Sequence, residues 1–328
     1  MSGLDPYTSF SEESIVVEQA IAKNILDFRF SKYEGNPVLE PGPRDWEQKD
    51  VFNPTAVVHE GKVYMFYRAE DFQGMGIWNG TSRIGLAISE DGFRFHKLDH
   101  PILEPSEPYE LPGGCEDPRI TKIDGRYYMT YTAFDGVTAR LCLASSDDLI
   151  HWQKYGCMLP GFRGEKDAEW SKAGAILPQK VQNRYWMYFG EGYVYLAFSE
   201  DLVTWSVLPE PVLTPRGRGY FDADLVEPGP SPIVTEDGIV LLYNGAVELA
   251  PGHPPRRRYA AGVAVYSLDD PSRLVYRSEV PFLEPDTEME RRGQVDNVVF
   301  IEGYITFNGQ ELLYYGMADS RIGVAVRK

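Results

Sequence analysis

Cysteine and histidine are scarce in this chain, three and five among 328 residues. Cys115, Cys142 and Cys157 show no paired metal-ligand spacing. An odd number cannot all pair within one chain, so a disulfide framework is excluded and buried thiols in a reducing compartment are expected. Of His59, His96, His100, His151 and His253, only His96 and His100 stand four apart, just before a proline turn rather than on a helix. That spacing, with no cysteine beside it, does not make a zinc site. Basic residues are few relative to acidic ones, 32 Lys and Arg against 49 Asp and Glu, for a net charge of −17. Nucleic acid and polyphosphate need positive potential, so neither is an expected partner, and a neutral ligand fits better. No apolar run approaches the ~20 residues of a membrane helix. The first thirty residues carry Asp5, Glu12, Glu13 and Glu18 and no charged-then-apolar leader pattern. A cytoplasmic protein without membrane contact is the expectation, its oligomeric state left open, a homo-oligomer included.

Aromatic and turn residues are abundant: 21 Tyr, 16 Phe and 6 Trp beside 31 Gly and 24 Pro. That mixture suits many short strands joined by tight turns. A proline-bounded turn recurs, as Asn36-Pro-Val-Leu-Glu-Pro41, His100-Pro-Ile-Leu-Glu-Pro105, Glu210-Pro-Val-Leu-Thr-Pro215 and Val280-Pro-Phe-Leu-Glu-Pro285, with a degenerate copy at Gly156-Cys-Met-Leu-Pro-Gly161. A second recurring strand ends in an acidic turn in Ile84–Asp91, Leu141–Asp148 and Val194–Asp201, and returns in Ala261–Tyr266 and Ile322–Arg327. A third is Tyr-rich: Lys62–Tyr67, Arg126–Tyr131, Arg184–Phe189, Ile239–Tyr243 and Glu311–Tyr315. Five copies of three strand motifs at roughly 60-residue intervals predict an all-β, five-bladed β-propeller. One domain over 1–328 is expected, with residues 1–30 as an N-terminal extension whose stretch from Phe10 to Phe28 reads as helical. Mixing of N- and C-terminal strands in one blade would remove a free sheet edge. Function is expected where loops gather at one end of the channel.

Polar residues at strand-to-loop junctions are the candidates for chemistry. Glu116-Asp117-Pro118-Arg119 follows Gly113-Gly114, Asn53 sits in Phe52-Asn53-Pro54, Arg68 ends an aromatic strand and Asp319 ends the corresponding strand of the last copy. A self-capped turn aspartate and a surface ion pair would also account for the Glu-Asp-Pro-Arg run. Charged groups at the inner ends of apolar strands are costly unless they face a polar centre.

These runs resemble the propeller enzymes of glycoside hydrolase family 130, which act on β-mannosides. The resemblance is carried by Phe52-Asn53-Pro54, Phe66-Tyr67-Arg68-Ala69, Ser82-Arg83-Ile84-Gly85, Glu116-Asp117-Pro118-Arg119, Asn297-Val298-Val299-Phe300 and Tyr315-Gly316-Met317-Ala318-Asp319. It implies Asp117 as the catalytic acid, with Asn53, Arg68 and Asp319 holding the sugar. It implies a manno-oligosaccharide substrate and no metal or organic cofactor. The family contains phosphorylases, which need cations for phosphate, and hydrolases, which need a base for water. Where the phosphorylases carry basic runs, this chain has Phe189-Gly190-Glu191, Leu225-Val226-Glu227 and Tyr243-Asn244-Gly245; Lys166 alone keeps a basic side chain at a fourth place. The expectation is therefore an inverting β-mannosidase, β-1,2-specific by resemblance, with Glu227 or Glu169 as the base. Glu169 also reads as a turn carboxylate, and neighbouring Trp170 as either a sugar platform or a core residue. The rivals are a phosphorylase using Lys166, Arg163 and Arg256-Arg257-Arg258 for phosphate, a propeller that only binds carbohydrate, and propeller glycosidases of arabinan or fructan type.

Overall fold

A computed structural model describes residues 29–74, 78–164, 169–250 and 256–327. The expected N-terminal helix lies outside them. The described chain is almost entirely β, with one short helix, α1 (Glu288–Arg291), and two 3₁₀ turns at Asp45–Glu47 and Pro108–Glu110.

After β1 (Ser31–Lys32), the strands fall into five antiparallel units, the first two joined into one sheet by a parallel pairing of Ser82 with Gly114. Unit one is β2 (Asp50–His59), β3 (Lys62–Glu70), β4 (Ser82–Ser89) and β5 (His96–Lys97). Unit two is β6 (Gly114–Ile123), β7 (Arg126–Phe134), β8 (Ala139–Ser146) and β9 (Gln153–Cys157). Unit three is β10 (Ala175–Ile176), β11 (Tyr185–Phe189), β12 (Tyr195–Ser199) and β13 (Ser206–Val207). Unit four is β14 (Leu225–Pro228) and β15 (Ile233–Val234), both on β16 (Ile239–Ala250), then β17 (Arg256–Tyr266) and β18 (Leu274–Arg277). Unit five is β19 (Val299–Phe307), β20 (Gln310–Met317) and β21 (Arg321–Arg327), and β1 supplies its outer strand by pairing with β21.

Each hydrophobic core lies between two successive units. Phe66 and Leu86 of unit one pack with Tyr127 and Met129 of unit two, and the pattern continues through units three, four and five. The fifth core joins unit five back to unit one, with Ile305, Leu312 and Tyr314 against Val51, Met65 and Ala87. Five units thus share five cores.

The sequence repeats have local causes. The leucine of each proline-bounded turn is buried and bridges to the third strand of a unit: Leu39 to Ile322, Leu103 to Ile84, Leu213 to Val194 and Leu283 to Ala261. The acidic turns are self-capped. Ser89 Oγ accepts the Gly92 amide and Asp91 Oδ1 accepts those of Phe93 and Arg94; Ser146 with Asp148 and Ser199 with Asp201 repeat the arrangement. Those carboxylates are structural.

A buried clasp holds the second strand in four of the five units. Tyr67 donates to Glu47 at 2.9 Å, and Lys97 pairs with the same carboxylate at 3.0 Å. Tyr131, Glu110 and Lys154 repeat this in unit two, Tyr315, Glu290 and Lys32 in unit five, and Tyr243, Asp222 and Arg277 in unit four. Glu110 and Glu290 close capping boxes, which is what the 3₁₀ turn at Pro108 and helix α1 are for. The tyrosine ring lies so close to the third strand that a Cβ on Gly85, Gly262 or Gly323 would meet it at 2.3–2.8 Å. Unit three has Phe189 at the tyrosine position, without a hydroxyl to bind an acid.

Because Glu110 is fully buried, Lys154→Met leaves an uncompensated charge and is expected to cost about 3–5 kcal/mol in urea unfolding. Lys62→Met, which breaks an exposed pair with Glu90, is expected to cost about 0–1 kcal/mol.

Candidate active site

The first strands of the five units converge at one end, and register identifies the equivalent positions. Phe52 pairs with Arg68, Glu116 with Thr132, Glu227 with Asn244 and Phe300 with Gly316, while Lys172 accepts the Gly190 amide. One side chain per unit, Phe52, Glu116, Lys172, Glu227 and Phe300, lines a single cavity of about 180 Å³. Asn53, Asp117, Arg68, Glu191, Asp319, Tyr259 and the rings of Trp78, Phe134 and Trp170 complete much of its wall.

Backbone chemistry explains how Asn53 and Asp117 reach it. Each precedes a proline, which cannot join the ladder and is tolerated in a bulge. The ladder shifts between Phe52 and Thr55 and again between Glu116 and Arg119. Asn53 and Asp117 sit in those bulges with φ near +50°, a conformation costing about 1–3 kcal/mol outside glycine. The bulge turns both side chains to the cavity. Asp117 is therefore not in a turn, as the Gly-Gly pair before it suggests, but inside β6.

Two cations organise the carboxylates. Arg68 is buried and holds Glu70 at 2.6 Å, Glu116 at 3.0 Å and Asp117 at 3.2 Å, while its Nε donates to Ser82. Lys172 lies 3.3 Å from Asp117 and 4.0 Å from Glu191. Asn53 donates to Asp117 at 2.7 Å. Below the cavity, Arg119 of unit two pairs with Glu302 of unit five at 2.8 Å and donates to the carbonyls of Pro228 and Gly229 in unit four. On the rim, Trp170 donates to Glu191 at 2.8 Å and Trp78 to Asp319 at 3.2 Å.

Burial alone would raise the Asp117 carboxyl, but the Lys172 ammonium, the Arg68 guanidinium and the Asn53 amide outweigh it and hold it well below the usual range. Burial pushes Glu227 up to about 8, with Glu191 adding to the shift and Lys172 and Arg119 opposing it. Burial likewise lifts Glu116 and Asp319 to about 7. At neutral pH, of the pair Glu227 and Asp117, Glu227 therefore holds a proton and Asp117 does not.

Of the candidates from sequence, Asn53, Arg68, Asp117, Glu227 and Asp319 meet in this cavity. Glu169 is half exposed, 3.9 Å from Arg140, and is not among the cavity's lining residues. Its place, 20 residues before Phe189, is that of the clasp acids, but its unit has no tyrosine to receive it. Lys166 lies outside the described residues. Asn244 turns away and exchanges hydrogen bonds with the backbone of Ile301. Lys172, Trp78 and Tyr259 were not singled out as site residues, and Glu191 only as a carboxylate where the phosphorylases carry a basic run. Register against the Tyr-rich strands would have found Lys172, which is equivalent to Glu116 and Glu227.

A family model described as beta-1,4-mannooligosaccharide phosphorylase, glycoside hydrolase family 130, matches residues 26–328. A 1,2-beta-oligomannan phosphorylase of Thermoanaerobacter sp. (strain X514) is 35% identical over 305 residues, 91% of this chain and 97% of that protein. A solved structure described as showing that this family of mannoside phosphorylases contains hydrolases targeting β-1,2 mannosidic linkages in Candida mannan superposes with a TM-score of 0.85 at 38% identity, covering 91% and 93% of the two chains. A glycosyl hydrolase from Bacteroides ovatus superposes at 0.84 and 37% identity, covering 91% and 93%.

Glu227 binds a proton in the folded state from the unfolded carboxyl value near 4.5 up to about 8. Within that window the native state holds more protons than the unfolded state, so its stability falls as pH rises. Thermal melts between pH 5 and pH 8 should show Glu227→Gln gaining on the wild type as pH increases; a pH-independent difference would contradict the raised value.

Proposed function

The chain belongs to glycoside hydrolase family 130, and from that premise we propose an inverting β-mannosidase that releases mannose from β-1,2-linked manno-oligosaccharides. The five units are read as the blades of a closed propeller forming one catalytic domain. The observation that carries the hydrolytic reading is the charge of the cavity. Five carboxylates line it, Glu116, Asp117, Glu191, Glu227 and Asp319, against two cations, Arg68 and Lys172. Both cations are already paired with carboxylates. A phosphate dianion beside the ionised Asp117 and the Glu191 carboxylate meets repulsion of about 4 kcal/mol per like-charge pair at ~4 Å and an effective dielectric near 20, and it would oppose the ionisation that Glu227 needs to act as base. Water needs only a base.

The reaction is a single displacement. Glu227 takes a proton from water, the water oxygen attacks the anomeric carbon, and the bond to the glycosidic oxygen breaks. Asp117 supplies the proton that this oxygen accepts, through a hydroxyl of the bound mannose. Asn53, Arg68 and Asp319 hold the sugar. Glu169, away from the cavity lining, is the weaker choice for base.

These roles reverse the proton's resting place. Glu227 must be ionised and Asp117 protonated, whereas the empty site favours the opposite. A sugar hydroxyl inserted between Asp117 and Lys172 would leave the ammonium to Glu191 and Glu227. That raises the first carboxyl and lowers the second, so one proton passes between them. The productive form and the resting form then carry the same single proton.

Phosphorolysis is the second reading. It is favoured by the names of the curated relatives and by Arg257, which interacts with Tyr259 at the cavity wall. Incubation of β-1,2-mannobiose with and without millimolar phosphate separates the two. Hydrolysis gives free mannose, first as the α anomer by NMR, at a phosphate-independent rate. Accumulation of mannose 1-phosphate would establish the second reading.

Asp117→Asn should lower kcat by about 10²–10⁴-fold with little change in Tm. Since the pair must share one proton, kcat/KM should fall above about pH 8 as Glu227 loses it. Glu191→Gln removes a like charge beside Glu227 and should move that falling limb to lower pH. A rate that instead rises through pH 8 would remove Asp117 from the acid role.

A further inference from the structure

Among the recurring turns, the copy that lacks its first proline is that of unit two, Gly156-Cys157-Met158-Leu159-Pro160-Gly161. Register shows what replaces it. The residue after this position donates its amide to a third-strand carbonyl in every unit: Val38 to Ile322, Ile102 to Ile84, Met158 to Leu141, Val212 to Val194 and Phe282 to Ala261. The residues flanking those bonds stand at equivalent places. They are Pro37 and Gly323, Pro101 and Gly85, Pro211 and Tyr195, Pro281 and Gly262, and in unit two Cys157 and Cys142. Cys142 and Cys157 are register partners beside the bonded pair of Leu141 and Met158, so they form a pair without backbone bonds of its own.

Packing asks for neither cysteine. Proline fits the turn position because no donor is needed there and its ring fixes φ. Glycine fits the strand position because the clasp tyrosine lies against it. Unit two keeps that tyrosine, Tyr131, opposite Cys142, and still carries a side chain there. Two departures from the repeat thus fall on one cross-strand pair, and both are thiols.

Their geometry suits a covalent bond. Both are free, and the buried Cys142 thiol donates to Cys157 Sγ at 3.5 Å. Pairs of this antiparallel type hold their Cα atoms about 4.5 Å apart, inside the ~4.4–6.8 Å that disulfides span. Cys157 is half-buried and so within reach of a small reagent. The hydrogen bond from Cys142 holds its thiol below the ordinary value, Arg140 adding to the shift against partial burial. The third thiol is different: Cys115 is buried, and burial pushes it up, away from the reactive form.

We infer that Cys142 and Cys157 are a cross-linking pair, which a peroxide closes into a disulfide that pins the outer turn of unit two as proline pins it in the other units. The Cys157 thiolate attacks one peroxide oxygen, the O–O bond breaks, and a sulfenic acid and hydroxide form. Cys142 sulfur then attacks the sulfenic sulfur, its proton leaving with the expelled hydroxide as water. Two thiols lose two electrons and two protons, and hydrogen peroxide becomes two waters. Proline and disulfide act on the turn alike, by removing conformations from the unfolded chain. The same strand also anchors the approach to the cavity: Leu141 donates to Ser171 Oγ and the Ser171 amide to the Ala139 carbonyl, one residue before Lys172. The cross-link therefore ties to β8 a second point of the chain, ahead of the one that sets the cation beside Asp117.

The test treats the purified full chain with hydrogen peroxide, then denatures and alkylates it. Three thiols should alkylate before treatment and Cys115 alone after it, with a protein mass lower by two hydrogens and a Cys142–Cys157 peptide in a non-reducing digest. Dithiothreitol should restore all three. The oxidised protein should melt a few degrees above the reduced one. Cys157→Ser should fold with a Tm near that of the reduced wild type and show no peroxide-dependent rise. Sulfinic acid at Cys157 with Cys142 still open to alkylation, a cross-link through Cys115 or between two molecules, or a cross-linked protein that melts no higher would overturn the inference, as would a rise that survives Cys157→Ser.

Discussion

Everything at the centre of this molecule depends on two buried cations. Five sheets converge there with carboxylates at their tips, an arrangement that desolvation and mutual repulsion would disallow alone. Arg68 answers three of them at once, Glu70, Glu116 and Asp117, and Lys172 reaches across to Asp117 and Glu191. Their placement decides which carboxyl stays ionised. Asp117, held by both cations and by Asn53, remains charged; Glu227, farther from Arg68 and beside Glu191, keeps its proton. The asymmetry arises within a ring of equivalent positions. Glu116, Lys172 and Glu227 occupy corresponding places in their units, opposite Thr132, Gly190 and Asn244, and the side chain chosen in each unit sets the asymmetry.

Farther out, the same unit is held by a different device. Tyrosine, buried acid and lysine or arginine form a clasp at the outer side of four units, away from the cavity. Specificity of packing and chemistry are thus separated along each sheet: the second strand contributes a tyrosine to the clasp and the next residue to the centre. Tyr67 and Arg68 are neighbours with those two roles, and at Tyr243 and Asn244 only the first is kept. Asn244 has exchanged a place in the site for a bond between units four and five.

The fivefold pattern was legible because its marks are local. Proline turns, acidic turns and Tyr-rich strands repeat in the chain, and the leucines and serines that make them work are next to one another in sequence. Asn53 and Asp117 were picked out by the Phe-Asn-Pro and Glu-Asp-Pro-Arg runs and the family resemblance these carry, while the bulges that hold them show only in the strand register. Lys172 carries no such mark; Ser171-Lys172-Ala173 reads as nothing until register places it opposite Gly190. Glu169 attracted attention beside Trp170, yet an acid at that distance before the second strand belongs to the clasp, and Phe189 has removed its partner. Helix α1 and the two 3₁₀ turns span three or four residues, too few for any periodicity to register. The proton's resting place required knowing that Glu227 is buried beside Glu191, which no sequence spacing conveys.

The pairing of β1 with β21 has a bearing on how the protein is made. Ser31 meets Val326 and Lys32 meets Ala325, and Lys32 also completes the clasp on Glu290. During synthesis the first of these partners emerges long before the last. Until β21 follows, β1 is an unpaired edge and Glu290 has no ammonium. Closure therefore awaits the synthesis of β21, and contacts of such sequence separation form slowly. A permuted gene that opens the chain between two other units, and joins Arg327 to Ser31 through a short turn, would place β1 directly after β21. It would convert the slowest closure of the nascent chain into a local hairpin-like step, at the cost of making some other pair of units the last to meet.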